Sequence, residues 1–174
     1  ERYEAAVQDV ALLLACVSQW GRPSHLATLQ KSIARSSDRL ESTGGFTVWL
    51  ALRWYPLLIE LYCSGIAAVD ARRFDSLAAI FGTVLPTSDY QRTSDTFVEA
   101  ASMAVLELNR SNVLKQIPGH ERNYTPLSDY FLKVLQPRLD DALFLGKNYE
   151  AAFDTFEVYF ALCAADARLL NGQN

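Results

Sequence analysis

The residues best equipped for chemistry lie close together in Pro118-Gly119-His120-Glu121-Arg122-Asn123-Tyr124. His120 titrates near neutrality, Glu121 supplies a carboxylate, Arg122 a permanent cation and Tyr124 an aromatic hydroxyl. On a loop, such a set suits acid–base work on RNA or a nucleotide; equally, its charges serve as caps for neighbouring helices. Helical ribonucleases of the HEPN type place about four to six residues between the arginine and the histidine of their motif. Here nine residues separate Arg110 from His120, and two separate Arg22 from His25. Neither histidine meets that spacing. A second group is Arg53-Trp54-Tyr55. These three residue types dominate binding hot spots, so the triplet reads either as core packing or as an interface anchor. Trp49, Trp54 and Tyr62 are the aromatics with which a small-molecule sensor would line a pocket.

Several chemistries lack their residues. Gly44-Gly45 has neither the Lys-Ser/Thr of a phosphate loop nor the third glycine of a dinucleotide fingerprint. No Cys-x-x-Cys, His-x-x-x-His or Glu-x-x-His occurs, which removes local zinc sites and the di-iron bundle pattern. Glu150, Asp154 and Glu157 recur at i, i+4 and i+7, with Asp140-Asp141 upstream. That reads as a solvated acidic face, because hard cations need oxygens that converge. The expectation is no metal and no cofactor. Cys16, Cys63 and Cys163 make an odd count within apolar stretches and read as buried thiols in a reducing compartment.

The elements that position these groups read as helices. The 174 residues hold 25 Leu and 22 Ala against 11 Val and 5 Ile, and apolar spacings of three and four recur without period-two alternation. The expected fold is all-α: a bundle of six to eight helices built from helical hairpins, in one domain. The first helix covers 3–19 and the second runs from Pro23 to Leu40. A third, apolar nearly all round, spans 46–71 and belongs at the centre of the fold, kinked near Tyr55 by Pro56. Further helices cover 74–81, 94–109, 126–145 with a kink at Pro137, and 149–170. Loops are expected at 87–96 and 118–123. Two turns look alike, Ala71-Arg72-Arg73-Phe74-Asp75 and Gly146-Lys147-Asn148-Tyr149-Glu150. In each, the aromatic is expected to staple the incoming helix to the outgoing one.

Sixteen basic against twenty acidic residues give a net charge of −4, which argues against general nucleic-acid or anionic-membrane binding. The apolar run from Phe46 to Val69 carries Arg53, Pro56 and Glu60, so it reads as a buried helix and not a membrane span. The chain opens Glu1-Arg2-Tyr3-Glu4 without an initiator Met, as a piece of a larger protein or a processed product would.

Two strings carry a resemblance. One is Leu52-Arg53-Trp54-Tyr55-Pro56-Leu57-Leu58 leading into Gly65-Ile66-Ala67-Ala68; the other is Tyr124-Thr125-Pro126-Leu127-Ser128-Asp129-Tyr130 leading to Phe153-Asp154-Thr155-Phe156-Glu157. Over residues 45–170 the chain resembles the helical C-terminal regions of bacterial multidomain proteins of the anti-phage defence kind, whose N-terminal parts are effector or nucleotide-binding domains. That resemblance implies a bacterial, cytoplasmic accessory module that positions, senses or oligomerises. It carries over no catalytic residue.

The expected function is therefore a non-enzymatic interaction or oligomerisation module, with a protein partner or a second copy held through Arg53, Trp54 and Tyr55. The alternatives are a helical enzyme acting on RNA or a nucleotide, or a small-molecule sensor, using His120, Glu121, Arg122 and Tyr124.

Overall fold

The computed structural model describes residues 2–37, 47–86 and 96–170. The expected start at Phe46, the Gly44-Gly45 break, the second helix's end at Leu40 and most of the 87–96 loop lie outside them. Among the described residues the fold is all-α, with eight helices: α1 Arg2–Trp20, α2 Leu26–Ser37, α3 Thr47–Arg53, α4 Tyr55–Asp70, α5 Phe74–Phe81, α6 Phe97–Arg110, α7 Pro126–Leu143 and α8 Tyr149–Leu170. None is long and apolar enough to cross a membrane.

α4 is the axis of the bundle. Every residue from Leu57 to Val69 is buried, with α1 packed most extensively against it and α8, α5 and α7 around it. The break before α4 has a covalent cause. Pro56 has no N–H to offer the carbonyl of Leu52, so α3 ends at Arg53 and Trp54 forms a one-residue joint. The helical path resumes when the Leu58 amide donates to the Trp54 carbonyl at 2.9 Å. Pro137 acts differently: α7 runs through it without interruption. The residue is exposed, and the helix tolerates the lost donor there.

Around Tyr62 the core is aromatic. Its ring lies 4.8 Å from Phe131, 4.9 Å from Phe156, 5.7 Å from Phe153 and 6.3 Å from Phe160, centroid to centroid. Such pairs add about 0.5–1.5 kcal/mol each beyond the area they bury. Gly65, one turn along α4, leaves the notch that lets α8 approach. A Cβ there would stand 2.2 Å from Cε2 of Phe156.

The two look-alike turns diverge. At the second, Phe144 and Gly146 take positive φ, the Gly146 amide donates to Asp140 at 2.9 Å, and buried Tyr149 staples α8 to α7 by donating its hydroxyl to the Phe131 carbonyl at 3.3 Å. At the first, Arg72 takes positive φ, but Phe74 is half exposed and its ring meets Tyr159 of α8. Arg73 secures that turn by donating to the Gly21 carbonyl at the end of α1 and pairing with Asp75 at 2.9 Å. The cysteines also correct the expectation. Only Cys63 is buried, its thiol pushed up to about 12 by burial, while Cys16 and Cys163 are half-buried.

Candidate functional site

The structure joins the two sequence-predicted groups through residues that neither contained. Glu4 of α1 is buried, and its Oε1 accepts the Tyr55 hydroxyl at 2.6 Å and the Tyr130 hydroxyl at 2.9 Å. Burial raises this carboxyl, but the hydrogen bonds it accepts, that of Tyr55 among them, outweigh burial and hold it at about 2. Burial, and then the hydrogen bond to Glu4, push Tyr55 and Tyr130 well into the protonated range. The Tyr130 ring stands edge-on to His120 at 5.6 Å, and His120 Nδ1 lies 3.0 Å from Asn123 Nδ2. A polar string therefore runs Tyr55–Glu4–Tyr130–His120–Asn123 across α1, α4, α7 and the loop before α7.

Within this string the predicted residues behave as structure. Tyr55 is 6% exposed and His120 7% exposed, so neither is presented to solvent. Glu121 is exposed and turns back on its own loop, both carboxylate oxygens accepting the Gly119 amide at 3.1 Å. Arg122 is exposed, and Tyr124 projects fully. Arg53 is exposed while Trp54 packs half-buried against the core. The set around His120 does not converge on a common point. Tyr55→Phe is expected to lower the unfolding free energy by about 1–3 kcal/mol, since it removes one hydrogen bond from a buried carboxylate. Urea denaturation followed by circular dichroism measures it, and an unchanged midpoint would place the hydroxyl outside the stabilising network.

A second polar group lines a cleft of about 370 Å³ between α6, α7 and α8. Glu157 accepts the Tyr62 hydroxyl at 2.9 Å on one oxygen and the Ser128 hydroxyl at 2.7 Å on the other. Burial and then the Glu157 charge push Tyr62 upward. Eleven residues further along α8, Arg168 donates Nη2 to Ser102 Oγ at 3.0 Å. Tyr62 thus belongs to this cleft and to the core, whereas Trp49 is largely exposed on α3. The acidic residues do not converge: Glu150 and Asp154 face solvent, Asp140 holds Gly146, and no cluster of three metal-ligating side chains occurs among the described residues.

Sequence reasoning missed the outer face of α8. Tyr149, Ala152, Phe153, Phe156, Phe160 and Ala164 point inward and are buried. Opposite them Ala151, Thr155, Val158, Leu162, Ala165 and Leu169 are all exposed, and the three large ones are 58%, 62% and 67% exposed. Their spacing is four, three, four, three, four: the a/d seam of a helix that packs on another helix. The signal was available, because once the phenylalanines are assigned inward the remaining apolar residues fall on the opposite side. Compared with known protein families, characterised proteins and solved structures, the chain matches none.

Proposed function

We propose that this chain is a non-enzymatic helical docking module of a larger bacterial cytoplasmic protein, and that it works by holding another helix against the outer face of α8. The exposed a/d stripe of α8 supports this reading. A solvent-facing helix side normally carries charges, yet the centre line of this one is Ala, Thr, Val, Leu, Ala, Leu over 19 residues. Contiguous apolar surface of this kind marks an interaction site. The 118–124 loop has less support as an enzyme centre, because its histidine is packed beneath Tyr130 and its glutamate is bound to its own backbone.

The test uses a synthetic amphipathic helix with leucines at alternating four and three spacing, fluorescently labelled, and read by anisotropy. The intact chain is expected to bind it at about micromolar Kd. Leu162→Glu should weaken that binding at least about tenfold while leaving the helical signal intact, since an exposed side chain contributes little to folding. Equal binding by wild type and Leu162→Glu, or no binding by either, would overturn the proposal.

A further inference from the structure

We infer that the helix received by α8 is the α8 of a second copy of this chain, running antiparallel across a two-fold axis at the level of Phe160. This rests on the docking role proposed for the outer face and adds its occupant and register.

The first argument is the symmetry of the stripe. Positions 151, 155, 158, 162, 165 and 169 are palindromic about residue 160. An antiparallel copy therefore sets Val158 opposite the second copy's Leu162, Thr155 opposite its Ala165, and Ala151 opposite its Leu169. Every layer joins a larger side chain to a smaller one, the alternation that lets two helices approach closely and interdigitate. A two-fold interface needs such self-complementarity, because each contact is made twice.

Charge supplies the second argument and selects the direction. One edge of the stripe carries Asp154, Ala161 and Arg168, seven residues apart and on the same side. Antiparallel helices bring these like-named edges together, so Asp154 meets the second copy's Arg168, and the reverse pair forms across the axis. Asp154 lies six residues from the centre and Arg168 eight, an axial offset of about 3 Å. Helical side chains lean toward their own N-terminus, which carries Arg168 inward and Asp154 outward and closes that gap. In a parallel pair the same edge meets the edge of Tyr159 and Asp166, where Arg168 lies two residues from the second copy's Asp166 but Asp154 meets no cation; only the antiparallel pair engages both charges of this edge. Arg168 is half-buried, with Nη2 on Ser102 and Nε buried, so the bond to the second copy falls to Nη1.

Sedimentation velocity and light scattering on the 174-residue chain, across a wide concentration range, test the inference. The wild type is expected to dimerise at about micromolar Kd. Asp154→Arg and Arg168→Asp should each weaken the dimer about tenfold, because each sets like charges together at two places. The double swap should return it to within about threefold of wild type. Ser102→Ala should leave dimerisation unchanged, which separates pairing across the axis from the contact between Arg168 and α6. A chain that stays monomeric while still binding the synthetic helix would overturn the second copy as occupant and leave the docking role standing. A dimer that the double swap fails to restore would overturn the antiparallel register. A dimer indifferent to Leu162→Glu would overturn both, and would move the interface to another exposed apolar face, such as that of Leu13 and Trp20 on α1.

Discussion

Phe156→Ala is expected to lower the unfolding free energy by about 3–5 kcal/mol, the usual range for emptying a large aromatic site in a core. Phe156 is fully buried, touches Tyr62, Phe81 and Phe160, and fills the notch above Gly65. The same geometry predicts a change of sign in a second substitution. Gly65→Ala alone drives a methyl to 2.2 Å from a ring held on several sides, and should cost about 1–3 kcal/mol through overpacking. In the Phe156→Ala background the obstruction is gone. Gly65→Ala should then stabilise by up to about 1 kcal/mol, as alanine does when it replaces glycine within a helix. Urea midpoints for the four chains complete the cycle, and Gly65→Ala costs that are equal in both backgrounds would show that the notch is not what lets α8 approach α4.

Glu60→Gln should have nearly as large an effect, in the stabilising direction and growing as pH rises from 4.5 to about 7. Glu60 is 3% exposed in the middle of α4. Burial pushes its carboxyl up to about 7 from 4.5, against a smaller opposing effect of a hydrogen bond with Ser36 of α2, and its Oε2 has no hydrogen-bond partner among the described residues. A folded-state pKa raised above the unfolded one means that folding retains the proton. The stability that goes with this is fully present below pH 4.5 and is lost as pH rises through 7. The loss amounts to about 3 kcal/mol by pH 8. Glutamine keeps the shape and has no charge to bury, so the variant should match wild type near pH 4.5 and exceed it by about that amount at pH 8. Glu4 does not confuse the comparison. Its carboxyl is held at about 2, so its contribution is lost only as pH falls toward that value. A gap between Glu60→Gln and wild type that stayed constant from pH 4.5 to 8 would show that the carboxyl is solvated.

The fold was largely legible because its strongest signals are local. Pro56 removes an N–H whatever surrounds it, and a stretch apolar on every side, such as 57–69, has to lie at the centre. Pro137 also removes an N–H, but on an exposed side of α7, and the helix continues through it as the expected span has it. The resemblance between the turns at 71–75 and 146–150 was real in sequence and misleading in packing. What an aromatic staples depends on which helix lies beside it, and Phe74 meets α8. The polar string was illegible for the same reason. Tyr55 and Glu4 are 51 residues apart and Tyr130 and Glu4 are 126 apart, so no spacing rule connects them. Both predicted groups contain a member of the string or a neighbour packed on it, yet Glu4 and Tyr130, which join them, have no distinctive context of their own.

The central position of α4 has a consequence for how the chain is made. Its sheath comes from both ends of the sequence: α1 precedes it, while the Glu157 that receives Tyr62 follows 95 residues later. A ribosome adding about 5–20 residues per second keeps Glu4 waiting roughly 6–25 s for Tyr130. Throughout that interval α4, buried from Leu57 to Val69, has α1, α2, α3 and α5 to cover it and lacks α7 and α8. Its remaining neighbours arrive last, and the nascent form spends that interval with the future core open on the side that α8 will close.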